Sequence, residues 1–479
     1  MRTARGHRIS ARTVILAAGT FMEGKIFIGE HEAPEGRLGE PAALGLGAAL
    51  RRRGFAAGRL KTGTPARIAG DSIDYGRMER QEGEEPEPFS FFSDGIPDRP
   101  RLPCWITYTN ERTHEIIRAN IHRSPMYGGK ISGVGARYCP SIEDKVVRFP
   151  ERERHHIFIE PEGLYTNEMY MNGASSSLPE DVQRDFIRSI AGLEEARIVR
   201  PAYAVEYDFL DPLGLFPSLE SKRIAGFFVA GQTNGSSGYE EAASQGLLAG
   251  INAAMRLSAR PPLILERSQA YIGVLIDDLT TLGTSEPYRM FTSRAEHRLL
   301  LRHDTSDARL CPTARGLGLL DDERWERFLK KTSAMDEIRE LLLQRKASGT
   351  EVVEGTALSA HIGESLRKCL ADDTVSLEDI LPFAPELAGY PRQWLESVQL
   401  DIRYAGYIDK SNRAVAKTAK MDAIKLDPQV DWSATSGLSA EAREKLAAVQ
   451  PLTVGQAARI PGVRQGDIAL LMVLAGRKG

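Results

Sequence analysis

The chain has 479 residues, enough for roughly two to four domains. Its hydrophobic (42%) and charged (27%) fractions are those of an ordinary globular protein, and no run of ~18 apolar residues is present to span a membrane. A formal net charge of −3 excludes a uniformly basic nucleic-acid binder, so any RNA contact requires a local basic surface.

The first segment, MRTARGHRISARTVILAAGT, is basic and then apolar. Its apolar run is too short for a signal-peptide core. Residues 8–18 are predicted as a strand pair ending in small residues at Gly19, as a nucleotide-binding sheet needs where backbone approaches a ligand. Residues 41–53 are predicted as a helix closed by Arg51-Arg52-Arg53-Gly54, solvated cations at the C-terminal end of the dipole with a glycine stop. The Pro-, Gly- and acid-rich stretch 81–103 predicts a long exposed loop. Residues 145–149 and 156–160 are predicted strands, and His155-His156, within ERERHH, is predicted to be exposed. Residues 226–231 predict a buried strand, 232–238 a turn and 239–257 a helix. Beyond Arg260-Pro261-Pro262 the pattern is helical, ending in a compact segment with turns at Pro451 and Pro461-Gly462. Four cysteines (Cys104, Cys139, Cys311, Cys369) form no CxxC pair, which argues against a zinc site or disulfide framework and fits a reducing cytoplasm.

The strand–turn–helix over 226–257 is the most informative segment. Gly231, Gly235 and Gly238 stand where a loop brings backbone N–H groups to a ligand. Glu240 and Glu241 fall in the first helical turn, where the dipole favours carboxylates. Ala242, Gly246 and Gly250 recur at i, i+4, i+8 and leave one face nearly bare. By pattern alone this fits either tight helix–sheet packing or close approach to a cofactor ring.

The segment GFFVAGQTNGSSGYEEAASQGLLAGINAA resembles the C-terminal flavin-domain signature of the MnmG (GidA) family. The resemblance extends through VILAAGTFMEGKIFIG, GRLKTGTPARI, GVGARYCPSIEDKV, SEPYRMFTSRAEHRLLLR and IPGVRQGDIALL. It implies an α/β nucleotide-binding fold, an FAD/NAD(P)-type Rossmann-like domain, with an inserted α+β domain and an α-helical C-terminal domain. The expected boundaries are 1–60 and 201–258 for the flavin domain and 61–200 for the insertion. A tRNA-binding helical domain is expected over 259–405 and a partner-docking subdomain over 406–479, set off by Gly406 and the polar run Asp409–Arg413. The family's activity is C5 modification of the wobble uridine of certain tRNAs with a carboxymethylaminomethyl or aminomethyl group. It uses FAD, NADH, methylene-tetrahydrofolate and glycine or ammonium, with the GTPase MnmE, as a cytoplasmic homodimer within a heterotetramer.

A flavin domain of this type opens with strand–GxGxxG–helix. The chain starts beyond that point, and neither Gly45-Leu46-Gly47 nor Gly133-Val134-Gly135 substitutes, because Leu50 and Tyr138 stand where glycine is required. The flavin domain is therefore expected to be incomplete, with a weakened grip on the pyrophosphate. A flavin-free RNA- or partner-binding remnant and a small-molecule FAD oxidoreductase are the alternatives.

Cys139 precedes Pro140, read as the first helical residue, and lies two residues from Arg137; both would favour thiolate. A buried structural cysteine fits the local pattern equally; the resemblance implies a catalytic one. Thiolate addition to C6 of uracil makes C5 nucleophilic. The resemblance also implies cofactor contacts at Gly19, Gly135, Arg137, Ser141, Gly231, Gln232, Gly235 and Gly238. Arg294, Arg298 and Arg302, at i, i+4, i+8 after Arg289, are predicted as one helix face without neutralising carboxylates, either solvated or bound to tRNA phosphates. Arg59, Lys61 and Arg67, around Thr62–Pro65, form a second cationic group suited to a phosphate or folate carboxylate.

Overall fold

A computed structural model describes residues 1–3, 5–84, 86, 88–93, 95–137, 140–348, 357–427 and 429–476. The chain divides into two compact units. One comprises Met1–Pro88, Gly95–Ile264 and Asp278–Met290; the other comprises Phe89–Asp94, Leu265–Asp277 and Phe291–Gly479.

The first unit holds the nucleotide-fold elements. Strands Val14–Leu16 and Phe227–Val229 pair in parallel, so their C-terminal ends and following turns lie at the same edge. Gly19 (φ 57°) and Gly231 (φ 76°) take the left-handed conformation there, which a side chain rarely adopts. Helix Tyr239–Leu257 follows, with both predicted ends. A five-stranded sheet runs in the order Val134–Gly135, Ala57–Thr64, Tyr203–Leu210, Lys25–Ile28, His31–Ala33. The predicted helix over 41–53 is confined to Leu46–Arg52, because Gly45 turns left-handed (φ 82°) just before it. Arg51 is not merely solvated; it pairs with the buried Asp208 at 2.7 Å. Of residues 8–18, only Val14–Leu16 is strand.

The α+β layer is an antiparallel six-stranded sheet, in the order Ile198–Arg200, Arg67–Ala69, Glu168–Asn172, His156–Pro161, Cys104–Tyr108, Glu79–Gln81. Ile157 and Ile159, and Met169 and Met171, alternate inward with the period of a strand. They meet Ile117, Val182 and Phe186 from helices Glu111–Ala119 and Glu180–Arg188 in one core. Residues 145–149 do not form a strand. Helix Ile142–Arg148 forms instead, because the Ser141 hydroxyl accepts from the Asp144 N–H and Ile142 and Val146 enter the core at i, i+4. Helix formation therefore starts at Ile142, not Pro140.

His155 is half-buried, correcting its expected exposure; His156 is exposed. The His155 ring lies 5.3 Å from that of His114, and its Nε2 has no hydrogen-bond partner among the described residues. Burial, then the neighbouring His114, pushes its pKa down from 6.5 to about 4. The unfolded chain therefore takes up a proton near 6.5 that the fold refuses until about 4. Stability from this site is complete above pH 6.5 and falls as pH drops towards 4. Thermal unfolding across that range is expected to show the loss, and His155→Phe to flatten it. An identical pH profile in the variant would contradict this.

The second unit is helical: Ser306–Gly316, Asp322–Gln344, Arg392–Arg403, Ala405–Ala423, Ala440–Val449, Val454–Arg459 and Gln465–Gly476 are its longer elements. Ile338, Leu342, Leu366, Leu370, Ile380 and Val398 anchor its core. The predicted boundary at Gly406 falls inside helix Ala405–Ala423, which runs unbroken through Asp409–Arg413. Arg459 pairs with Asp277 at 2.8 Å and Asp422 at 3.2 Å, so the terminal segment is tied to the rest of its own unit. The last helix buries Ile468 and Leu471 and exposes Met472 and Val473.

The arginine helix is not formed. Thr292–Arg294 and His303–Thr305 are single short turns, and no α-helix covers 289–302. Arg302 pairs with Asp304 and Asp401, and Glu296 with Arg267 at 2.9 Å. Arg294 is half-buried and Arg298 exposed. A short helix carries an unfavourable nucleation cost, and here burial of Ala295 and Leu301 and distant ion pairs outweigh the local i, i+4 pattern.

Candidate functional site

A cavity of about 320 Å3 in the first unit gathers several of the expected residues. Lys61, Gly135, Arg137, Arg148 and Arg289 line it, with Ser237 from the glycine turn and the carboxylates Asp144 and Glu286. They arrive from several elements: Asp144 and Arg148 from helix Ile142–Arg148, Gly135 and Arg137 from one strand and the turn after it, Lys61 from strand Ala57–Thr64, and Glu286 and Arg289 from one segment. Strand Val134–Gly135 pairs in parallel with Ala57–Thr64, setting Gly135 beside Lys61. Arg289 lies just beyond Tyr288, whose backbone N–H donates to the Gly235 carbonyl at 2.8 Å.

Glu206, which the sequence reading did not single out, holds the entry to the GVGARYC loop. One carboxylate oxygen accepts from the Ser132 N–H and Oγ, both at 2.8 Å, and from the Gly133 N–H. The other accepts from Arg59 at 2.9 Å. Burial opposes its ionisation, but Arg59 and Ser132 outweigh it and hold the carboxyl below its usual range. A Cβ on Gly133 would meet the Leu60 backbone at 2.9 Å, so close strand approach requires glycine there.

Beyond the loop, helix Ile142–Arg148 is anchored by its polar residues. Glu143, fully buried, accepts from the Ser177 N–H at 2.8 Å. Asp144 accepts from Tyr127 Oη at 3.1 Å, and burial followed by the Asp144 charge raises that phenol to about 12, keeping it a donor. Lys145 donates to the Gly173 carbonyl at 2.8 Å. Ser141 is engaged as the helix cap and does not line the cavity. Tyr138 and Cys139 lie outside the described residues.

Of the second cationic group, Arg59 pairs with Glu206 and Asp208, and Arg67 with Glu162 at 2.6 Å. Lys61 is 7% exposed and has no carboxylate partner among the described residues; its Nζ lies 3.4 Å from Met126 Sδ. Arg137 and Arg289 make looser pairs, with Glu286 at 3.5 Å and Glu241 at 3.6 Å. The cavity is therefore positive overall and suited to an anionic group.

The glycine turn is largely self-satisfied. Gln245, fully buried and missed by the sequence reading, accepts from the Gly231 N–H at 3.2 Å and Asn234 Nδ2 at 2.8 Å, and donates to Ser236 Oγ. The Gly235 N–H donates to the Gln232 carbonyl and the Ser237 N–H to the Tyr288 carbonyl. A Cβ on Gly238 would displace the Glu241 carboxylate. Glu241 is buried and accepts from the Met290 N–H at 2.7 Å, so it is more than a dipole-pairing surface carboxylate. Gln232 and Gly19 are neighbours at the strand ends: a Cβ on Gly19 would stand 4.0 Å from Gln232 Oε1. A Cβ on Gly246 or Gly250 would meet nothing within 4 Å, so the bare stripe does not serve packing among the described residues.

A cationic helix face does exist, in the second unit and away from the predicted stripe. Lys410, Arg413, Lys417 and Lys420 recur at i, i+3, i+7, i+10 on helix Ala405–Ala423, all exposed and without an ion pair among the described residues. The i, i+3, i+7 spacing was visible in the sequence; the exposure was not.

Fold and cavity together define a nucleotide-fold protein with an inserted antiparallel α+β layer and a helical C-terminal unit. Residues 1–261 match the family model "Glucose inhibited division protein A". Residues 322–412 and 414–479 match the C-terminal helical domain and C-terminal helical bundle of the "tRNA modifying enzyme MnmG/GidA". The tRNA uridine 5-carboxymethylaminomethyl modification enzyme MnmG of Borrelia garinii subsp. bavariensis is 54% identical over 472 residues, 98% of this chain and 76% of that protein. Its counterpart in Treponema denticola is 51% identical, over 99% and 77%. The form I crystal structure of Aquifex aeolicus GidA superposes with a TM-score of 0.87 at 44% identity, covering 99% of this chain and 77% of that one. This chain belongs to the MnmG/GidA family. Among the described residues no helix is long and apolar enough to cross a membrane.

Proposed function

We infer that this chain is a tRNA-modifying enzyme that builds the carboxymethylaminomethyl or aminomethyl group on C5 of the wobble uridine. The observation that carries this is 54% and 51% identity, over nearly all of this chain and about three quarters of each relative, with proteins named as tRNA uridine 5-carboxymethylaminomethyl modification enzymes. The exposed cationic face of helix Ala405–Ala423 supports it as a surface for RNA phosphates. FAD, NADH and methylene-tetrahydrofolate as cofactors, the MnmE GTPase as partner, a homodimer within a heterotetramer and a cytoplasmic setting are the finer parts of the proposal.

The residues present fit the ring side of a flavin better than its pyrophosphate. Gln232 and Gly19 meet at the ends of the parallel strands, and Gly246 and Gly250 leave a helix face open to a flat ring. The amides of Gly231, Gly235 and Ser237 are already committed, so they are not a phosphate cradle. Flavin, held by Gln232 and Gly19, would supply two-electron redox chemistry with NADH as its reductant. Lys61, with Arg137 and Arg289, holds an anionic group in the cavity. Cys139 adds as thiolate to C6 of the uracil, leaving the electron pair on the C5 enolate. C5 then bonds to the carrier's methylene carbon; loss of the C5 proton expels the carrier nitrogen and leaves an exocyclic methylene, and the amine of glycine or ammonium adds to that carbon as the thiolate is expelled from C6, which restores the ring.

Replacing Lys61 by Met is expected to weaken NADH or folate binding about tenfold through loss of a buried, uncompensated cation, with tRNA affinity unchanged. Titration of each ligand by fluorescence checks this, and equal affinities for all would remove Lys61 from the site. The wider reading is tested by titrating unmodified tRNA against the chain at several salt concentrations. Affinity falling linearly on a log–log plot supports it; no tRNA binding at any salt would overturn it.

A further inference from the structure

A second, larger cavity, of about 580 Å3, lies in the same unit and shares Gly63 and Ser175 with the first. Pro140, the residue after Cys139, is part of its wall. Its basic side chains are Lys145, Arg152, Arg154, His155 and His156, and no aspartate or glutamate is among the described residues that line it. Three rings, Phe149, Phe158 and Tyr170, complete it. In a chain of net charge −3, a concave surface with three permanent cations, Lys145, Arg152 and Arg154, and no acid among its described lining residues is a strong local bias.

The cations are disposed in two ways. Lys145 is held back by the Gly173 carbonyl at 2.8 Å, and Arg154 lies over Tyr108 at 4.2 Å from its centroid. Arg152 stands at the rim with its side chain 72% exposed, and Glu151 at 4.0 Å is its one ion-pair partner among the described residues. One face of Tyr170 is covered by Arg67 at 4.6 Å, whereas Phe149 is 45% exposed. Separated long cations beside open rings match a single nucleic-acid strand, with spaced phosphates and bases that stack. A compact pyrophosphate asks for backbone N–H groups at a helix start, and that position is filled here by the Ser141 hydroxyl.

We propose that this cavity holds a nucleotide of the substrate RNA flanking the modified uridine, its phosphate against Arg152 and Arg154 and its base against Phe149. The proposal rests on the tRNA-modifying reading and locates where the strand passes the Cys139 loop. Lys61 and the first cavity then face the cofactors, while the second faces the RNA.

The test is the affinity of the full chain for a fluorescent anticodon stem-loop RNA across a salt series, with NADH binding measured in parallel. Arg152→Glu with Arg154→Glu is expected to weaken RNA binding about tenfold or more and make the salt slope shallower. Phe149→Ala, tested separately, weakens RNA binding at an unchanged salt slope. NADH affinity stays at the parent value in both. If the parent binds the stem-loop and both variants bind it equally, the cavity is not an RNA site. Lost NADH binding with intact RNA binding would overturn the proposal in favour of a dinucleotide. If the parent itself binds no RNA, the tRNA-modifying reading fails first, and this site with it.

Discussion

Replacing Cys139 by serine is expected to abolish wobble-uridine modification while leaving tRNA affinity within about twofold of the parent, since a hydroxyl at this position stays protonated and does not add to C6. The loop that carries Cys139 runs between two fixed ends. Before it, Glu206 grips Ser132 and Gly133; after it, helix Ile142–Arg148 is capped by Ser141 and anchored through Glu143 and Lys145. Nucleoside analysis of the digested tRNA reads the outcome, and full turnover by the serine variant would return Cys139 to a structural role.

Glu206→Ala is expected to cost about 3 kcal/mol of stability in the first unit, the scale for removing one partner of a buried ion pair. Glu206 is 4% exposed and serves Arg59 and the Ser132–Gly133 backbone at once. Asp208 keeps a second hold on Arg59 at 2.9 Å, so the guanidinium is not wholly orphaned. Amide exchange over residues 132–137 should accelerate more than over the six-stranded sheet, because the loop loses its latch as well as the unit its ion pair. Unchanged unfolding midpoints with unchanged exchange would show that the loop is held elsewhere.

Local signals in the sequence located the elements that carry the family signature. Helix Tyr239–Leu257 was legible at both ends, because a glycine start, first-turn glutamates and a long run rich in Ala and Leu outweigh the two internal glycines. The strand predicted at 156–160 forms, over His156–Pro161. Neighbouring residues misled where a competing local signal or a distant partner decided the outcome. The run Lys145–Phe149 resembled a strand until the Ser141 cap and the Ile142–Val146 spacing are given weight over it. The arginines at 294, 298 and 302 have helical spacing, yet Asp401, 99 residues from Arg302, takes one of them. Glu241 was read as a first-turn carboxylate and Gln245 was not singled out, because their burial is a property of the turn and of the 284–290 segment packed on it. The carboxylate-free cavity could not be read at all, since its cations and rings come from the helix, the loop and two strands.

The most direct measurement of the central claim is nucleoside mass spectrometry of an unmodified tRNA. The tRNA is incubated with this chain, the GTPase partner and saturating FAD, NADH, methylene-tetrahydrofolate and glycine or ammonium. The account predicts that the wobble uridine gains the mass of a carboxymethylaminomethyl group with glycine, or an aminomethyl group with ammonium, and gains neither with Cys139→Ser. An unmodified wobble uridine, with the tRNA demonstrably bound and the flavin retained, would contradict it.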